Sequence, residues 1–352
     1  MDDEIKKAAL DVLDSGVYIN GPQVKLFEKE FATYLGVKKA VTVNSGTSAL
    51  FITFMDIGLK PGDEVIVPSH TFFSSASQAI HLGAKPVFVE VDPNTYTMDI
   101  EDIKRKITLK TRAIVAVHIY GNPVDMDPIM ELAREKNIIV VEDCAQAHGT
   151  KYKGKMVGTI GDYGCFSFFP SKIMNVGGDG GMITTNNEES AFRMGMLKNH
   201  GRKDKYSHEI YGMNMRMPEI PAAIGRVQLK KLDFFIQKRK EIMKFYTENL
   251  KNCAFLQLPV IPSYADSVFY VYTVQLDKRD EFEKYLNQNG IASGIYYPIP
   301  LHNQPIIMKQ FGKQSLPVTE NICKRIISIP LSPMLTKEEL DYVVEKIKNF
   351  QA

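Results

Sequence analysis

Between residues 40 and 186 the chain alternates short apolar runs, rich in β-branched residues, with longer amphipathic stretches. Seven runs read as strands: residues 40–43, 64–67, 87–91, 113–118, 138–142, 164–168 and 182–185. Several are apolar at nearly every position, as in Ala113-Ile-Val-Ala-Val117. A strand without alternation is buried on both faces, as in a sheet covered by helices on each side. Stretches with helical period, such as residues 127–136, lie between most of the runs. The pattern predicts an α/β domain with a mostly parallel seven-stranded sheet between helices.

After Asn186 the rhythm changes. Pro218 opens a long stretch with Leu229, Leu232, Ile236, Met243 and Tyr246 at helical spacing, and Lys230, Lys231, Lys238 and Arg239 on the other faces. This predicts a long helix linking two domains. Beyond it, residues 268–275 read as a strand, 279–289 as a helix stopped by Gly290, and 291–296 as another strand. Thr336-Lys-Glu-Glu339 has the spacing of a capping box, followed by Leu340, Val343, Val344 and Ile347 on one helix face. The division expected is a large domain over residues 1–240 and a smaller C-terminal α/β domain over 241–352.

Composition narrows the classes of function. Forty-three basic residues against 41 acidic ones leave a net charge of +2, with no dense basic run, so nucleic acid is not an expected partner. No run reaches the ~18 apolar residues that span a bilayer, and the first residues contain no apolar leader segment, so neither membrane nor secretion is expected. Cys144, Cys165, Cys253 and Cys323 show no paired or metal-binding spacing. Free thiols and a cytoplasmic setting are the expectation.

In open α/β sheets ligands gather beyond the carboxyl ends of the strands. The first run continues into Asn44-Ser-Gly-Thr-Ser-Ala-Leu50, where a helix start brings the N–H groups of Gly46, Thr47 and Ser48 toward an anion. A plain N-cap by Ser45 or Thr47 would have the same signature. The second run ends in Pro68-Ser-His-Thr-Phe-Phe73, whose aromatics either join the core or cover a flat ligand. The fifth ends abruptly in carboxylates, Val140-Val-Glu-Asp-Cys-Ala-Gln146, and a buried carboxylate there needs a partner. The sixth gives Cys165-Phe-Ser-Phe-Phe-Pro-Ser-Lys172 before a glycine-rich turn; a lysine in an apolar pocket loses basicity and becomes a nucleophile. Gly149-Thr-Lys-Tyr-Lys-Gly-Lys155 imitates a P-loop, but Met156 stands where Ser or Thr would reach Mg²⁺. No two histidines stand four apart, so no metal site is predicted.

In this order, the phosphate cup, the aromatic, the strand-end Asp with Gln three residues on, and the Ser with Lys five residues on resemble pyridoxal-phosphate (PLP) transferases of fold type I. More narrowly, the chain resembles the DegT/DnrJ/EryC1/StrS family of nucleotide-sugar aminotransferases. The resemblance runs from Ser15-Gly-Val-Tyr-Ile-Asn-Gly-Pro22 through Val117-His-Ile-Tyr-Gly121 and Gly178-Asp-Gly-Gly181 to Gly212-Met-Asn-Met-Arg-Met217 and Tyr297-Pro-Ile-Pro-Leu-His302. It implies that Lys172 carries PLP as a Schiff base and acts as the general base, and that Asp143 pairs with the pyridinium nitrogen. Gln146 lies near the phenolic oxygen and Phe72 stacks on the ring. Thr47, Ser48 and Ser167 hold the phosphate, and Asn214 reaches it from the neighbouring subunit of a homodimer.

The implied reaction moves an amino group from an amino acid, by analogy L-glutamate, to a keto-sugar on a nucleoside diphosphate. Tyr296 departs from the family pattern, in which many members carry His, and Cys144 replaces a commoner Ala. Two alternatives share the resemblance: a sugar dehydratase, in which His replaces the lysine, and a regulatory relative that binds PLP or a sugar nucleotide without turnover.

Overall fold

A computed structural model describes residues 2–351. The seven expected runs all form strands: β1 (Lys39–Val43), β2 (Glu64–Pro68), β3 (Lys85–Val89), β4 (Thr111–Val117), β5 (Ile139–Asp143), β6 (Tyr163–Ser167) and β7 (Gly181–Thr185). They make one sheet in the spatial order β1-β7-β6-β5-β4-β2-β3. The pairs β2/β3, β2/β4, β4/β5 and β5/β6 are parallel, and β7 is antiparallel to both its neighbours. The carboxyl ends of β1 to β6 therefore lie along one edge, and β7 starts from that edge.

Two cores explain why the strands lack alternation. Ile66, Ile114, Val140, Phe166 and Met182 point into one, packed on Phe27 and Phe31 of α1 (Pro22–Leu35) and Leu232 of the long helix. Val43, Val67, Val115, Val141 and Ile183 point into the other, packed on Leu50 and Phe54 of α2 (Gly46–Ile57). Successive side chains go to opposite faces, and both faces are apolar.

The long helix, α4 (Glu219–Leu250), starts after Pro218 as its sequence predicts. α3 (Ser74–His81) lies between β2 and β3. The Glu219 carboxylate, wholly buried, accepts from the N–H groups of Gly21 and Gln23 at 2.9 and 2.6 Å, and so serves as a cap for α1 supplied by a distant residue. α4 crosses α1 so closely that a Cβ on Gly225 would lie 2.7 Å from the Phe27 ring.

A third core, with Tyr246, Tyr272, Phe282, Ile327 and Ile347, surrounds the ladder β8 (Tyr272–Gln275)/β9 (Ile326–Ile329). Helix Lys337–Lys348 begins with both hydrogen bonds of the expected capping box, between Thr336 and Glu339. Residues 301–326 do not stay with this core: Leu301, Ile307 and Ile322 pack into the second sheet core.

Two expected strands are corrected here. The run 268–275 pairs only from Tyr272, because Phe269 takes φ = 52° and the Tyr270 N–H turns to the Tyr120 carbonyl at 2.8 Å. The run 291–296 makes a single bridge, Gly294 to Ser328, and then leads into the Pro298 and Pro300 segment instead of a ladder. The P-loop-like segment is also not a phosphate loop: Lys151–Tyr152 and Lys155–Met156 pair as a small hairpin.

The helix crossing yields a stability prediction. Gly225→Val places a branched side chain against the buried Phe27 ring and should destabilise the protein by roughly 1–3 kcal/mol. Urea unfolding followed by circular dichroism reads this as a lower midpoint at an unchanged slope.

Candidate active site

The ends of β1, β4, β5 and β6 open onto one cavity of about 450 Å³, lined among others by Gly46, Thr47, Phe72, Asp143, Gln146, Ser167 and Lys172. This is the size of an ordinary small-ligand site. Seven of the nine sequence-predicted site residues thus share one space.

Glycines allow its floor to close. A Cβ on Gly46 would sit 2.6 Å from the Ser167 Cβ, and one on Gly181 would sit 2.3 Å from the Ser45 carbonyl oxygen. The ends of β1, β6 and β7 consequently touch through backbone. Ser45 caps α2, its Oγ accepting from the Ser48 N–H at 3.1 Å, and its carbonyl takes the Ala49 N–H at 3.0 Å. Among the described residues the N–H groups of Gly46 and Thr47 find no acceptor in the chain. They stand at the positive end of a 12-residue helix, beside the hydroxyls of Thr47, Ser74 and Ser167, which is an arrangement suited to a phosphate.

Ser48, expected to join them, does not line the cavity. Its N–H is spent on the cap and its hydroxyl donates to Asn44 Oδ1 at 2.6 Å. Asn214 is exposed, bridged to Asn199 on the surface, and is not part of the cavity within this chain.

Asp143 ends β5 and is 7 % exposed. Its Oδ2 accepts from Ser75 Oγ at 2.8 Å and its Oδ1 from the Ala145 N–H at 3.1 Å. Burial pushes the carboxyl above the usual aspartate range, against the opposing pull of those two donors and of the Lys172 charge. Neighbouring Glu142 points to the other face, where it accepts from His118 Nε2 and three backbone N–H groups. His118 Nδ1 in turn accepts from the Val124 N–H at 3.1 Å, so the compact group of His118, Glu142 and Cys144 keeps no imidazole lone pair for a metal.

Lys172 lies in the turn after β6, its N–H bonded to the Phe169 carbonyl at 2.8 Å. Its Nζ stands 4.8 Å from the centre of the Tyr270 ring and enters no salt bridge. Burial lowers its pKa, an effect the nearby Asp143 charge partly offsets. A buried amine biased toward its neutral form is a nucleophile and a base.

Aromatic side chains wall the rest. Phe72 is 56 % exposed yet faces the cavity, with its ring 5.9 Å from that of Tyr297. Gln146 is fixed at both ends, Oε1 accepting from the Tyr120 N–H at 2.7 Å and Nε2 donating to the Tyr297 hydroxyl at 3.1 Å. Ser74, Ser75, Tyr270 and Tyr297 escaped the sequence reading. The hydroxyl-rich run Thr71-Phe-Phe-Ser-Ser75 carried a signal for the serines; Tyr270 sits in a run that reads as strand, and Tyr297 stood only in the segment that carries the family resemblance.

The model of the DegT/DnrJ/EryC1/StrS aminotransferase family matches residues 1–348. The chain is 43% identical, over 99% of its length and 95% of the relative's, to dTDP-3-amino-3,6-dideoxy-alpha-D-galactopyranose transaminase of Aneurinibacillus thermoaerophilus. It superposes at a TM-score of 0.96, with 39% identity over 98% of this chain and 93% of the other, on S. venezuelae DesV in complex with a ketimine intermediate. A sugar aminotransferase named Spr1654, from Streptococcus pneumoniae, was solved in a PLP-form and matches at a TM-score of 0.94 with 28% identity, over 99% of this chain and 96% of the other.

The buried carboxylate gives a pH prediction. A carboxyl whose folded pKa is raised favours folding only while protonated, and that contribution is lost as pH rises through the folded value. In cofactor-free protein Asp143→Asn should therefore match wild type below the ordinary aspartate value of 3.8 and become the more stable of the two as pH rises above it. Thermal melts across acid to neutral pH measure the difference.

Proposed function

We propose that this chain, which belongs to the DegT/DnrJ/EryC1/StrS aminotransferase family, transfers an amino group from L-glutamate to a keto-sugar carried on a nucleoside diphosphate. The observation that carries the reading is that Lys172 and Asp143 face one cavity, the aspartate buried and the lysine half-buried, neither in a salt bridge among the described residues, beside a helix N-terminus with free N–H groups. The family and its PLP-form relative support PLP as the cofactor.

The residues present fit that group. Asp143 is a buried carboxylate with two donors and no cation in contact, which suits a protonated ring nitrogen. Gly46, Thr47 and Ser167 offer the phosphate cradle, Phe72 a ring face, and Lys172 the amine that joins the cofactor covalently. When bound, PLP supplies an electron sink for the charge left when a proton leaves the carbon beside the amine. Asp143 keeps the ring nitrogen protonated, which sustains that sink. Lys172, once released from the cofactor, would carry the proton away from the donor α-carbon, and the burial that lowers its pKa shifts it toward the neutral amine this role needs.

The relative from Aneurinibacillus thermoaerophilus carries a dTDP-amino sugar in its name, which supports a nucleotide-sugar acceptor here. Lys172 stands where a dehydratase would carry His, which favours amino transfer. We further propose a homodimer in which the exposed Asn214 completes the partner's phosphate site. The exposed Leu10, Leu13, Val17, Tyr18 and Ile19 near the N-terminus support an apolar contact between subunits. The division at residues 240/241 into a PLP-binding part and a smaller C-terminal part is proposed as a domain boundary, and it falls inside α4. Among the described residues no helix is long and apolar enough to cross a membrane. Four free cysteines, three of them buried, support a cytoplasmic setting.

The visible spectrum of the purified protein tests the reading directly. Reconstitution with PLP should give a lysine-bound chromophore, and L-glutamate should bleach it to a pyridoxamine-type band. A protein that takes up no PLP overturns the reading. Lys172→Ala should lose the chromophore and all transamination. Mixing Lys172→Ala with Asn214→Ala subunits should restore one intact site per mixed dimer, measured as activity above that of either variant alone.

A further inference from the structure

We propose that Tyr120, which does not line the cavity, is the positioning residue that holds three of its walls in register. The proposal rests on the aminotransferase reading and goes beyond it by assigning a residue that acts through others.

Tyr120 follows β4 in a backbone conformation rare for a side chain of its size, φ = 58° and ψ = 10°. Such a conformation is strained for a residue with a Cβ and persists only when its surroundings over-determine it. Four hydrogen bonds do so here. Its N–H donates to Gln146 Oε1 at 2.7 Å, turning the Gln146 Nε2 toward Tyr297. Its carbonyl accepts from the Tyr270 N–H at 2.8 Å, on the residue whose ring faces Lys172 Nζ. Its hydroxyl donates to the Tyr296 carbonyl, on the segment that forms the opposite wall. The same hydroxyl meets His70 Nε2 at 2.7 Å, and His70 Nδ1 meets Cys323 Sγ at 3.3 Å.

These bonds have one consistent direction. The hydroxyl hydrogen is committed to the Tyr296 carbonyl, so His70 must donate from Nε2 and accept from the Cys323 thiol at Nδ1. Burial lowers the His70 pKa to about 4, which keeps the ring neutral and the direction unique. The chain of bonds thus begins in the helix Pro317–Arg325, passes behind the Phe72 loop, and ends on the cavity wall. Tyr120 is 4 % exposed and Gly121 beside it has no room for a Cβ, which would meet Val268 Cγ2 at 2.9 Å. The junction therefore cannot slide without breaking several contacts together. A left-handed tyrosine is retained because the N–H, carbonyl and hydroxyl must point in three directions, toward Gln146, Tyr270 and Tyr296.

The test uses PLP-loaded protein and two readouts, with Tyr120→Phe as the variant. This change keeps the ring and removes only the hydroxyl. The control is Tyr96→Phe, a buried neighbour whose ring centre lies 5.5 Å from that of Tyr120 and whose hydroxyl makes no hydrogen bond among the described residues. Hydrogen exchange by mass spectrometry should speed up at least tenfold in peptides covering 268–272 and 294–298 in Tyr120→Phe, and stay at wild-type rates in Tyr96→Phe. The half-reaction with L-glutamate, followed by absorbance, should lose at least tenfold in maximal rate, while the half-saturating glutamate concentration moves less than threefold. Unchanged exchange at both segments overturns the proposal. Faster exchange with a half-reaction within twofold of wild type also overturns it, since the bonds would then be structural only. If Tyr120→Phe fails to fold, His70→Leu, which removes the hydroxyl's other partner, is read by the same criteria. If wild type itself gives no half-reaction, the aminotransferase reading fails, and the exchange comparison alone decides whether Tyr120 holds the walls.

Discussion

A carboxylate without water is the constraint around which this site is arranged. Asp143 sits at the end of a strand buried on both faces, where an ion left bare costs several kcal/mol. Its two donors each return ~1.5–3 kcal/mol as hydrogen bonds to a charged group. The balance leaves the carboxyl more basic than in solution, and a cationic partner in the cavity would tip it back to the ionised form. Much of the neighbourhood follows from this. α3 must begin at Ser74 so that Ser75 reaches Oδ2, and the turn after β5 must fold back so that the Ala145 N–H reaches Oδ1.

Lys172 has the complementary problem. Its charge is desolvated too, but it meets an aromatic face instead of a carboxylate in contact. A direct ion pair with Asp143 would have stabilised both charges and made the lysine a weaker nucleophile. Holding the two apart on one cavity leaves each with its burial penalty, which pushes the Asp143 carboxyl up and the Lys172 amine down. The cost of this separation is carried by the two sheet cores, which fix β5 and β6 side by side with Asp143 opposite Cys165.

Most of the large sheet was legible because its strands are short apolar runs separated by helices, and a run apolar at every position has few alternatives to a doubly covered strand. The failures are instructive. Residues 268–271 are as apolar and β-branched as any strand, yet the Tyr270 N–H goes to Tyr120 and Phe269 turns left-handed. Hydrophobicity says that a segment is buried; it does not say which carbonyl its N–H will meet. Ser48 failed for a local reason. The motif offered several N–H groups and hydroxyls to an anion, and the helix cap consumed those of Ser48 first. Tyr270 carried no signal at all, since an aromatic in an apolar run looks the same whether its ring meets a core or a cavity.

The sequence by itself determined the layered α/β class, the seven strands of the large sheet, and the order of the chemistry-bearing strand ends, with Asp143 ending β5 and Lys172 in the turn after β6. It could do so because those properties are local, depending on periodicity and on which residue follows which strand. Tertiary structure alone decided which donors satisfy Asp143, which ring faces Lys172, and that Tyr120 ties three distant segments together. Those outcomes depend on hydrogen bonds between residues as far apart as Tyr120 and Tyr296. Their direction is set by competition among many buried donors and acceptors, and no single segment of the chain contains that information.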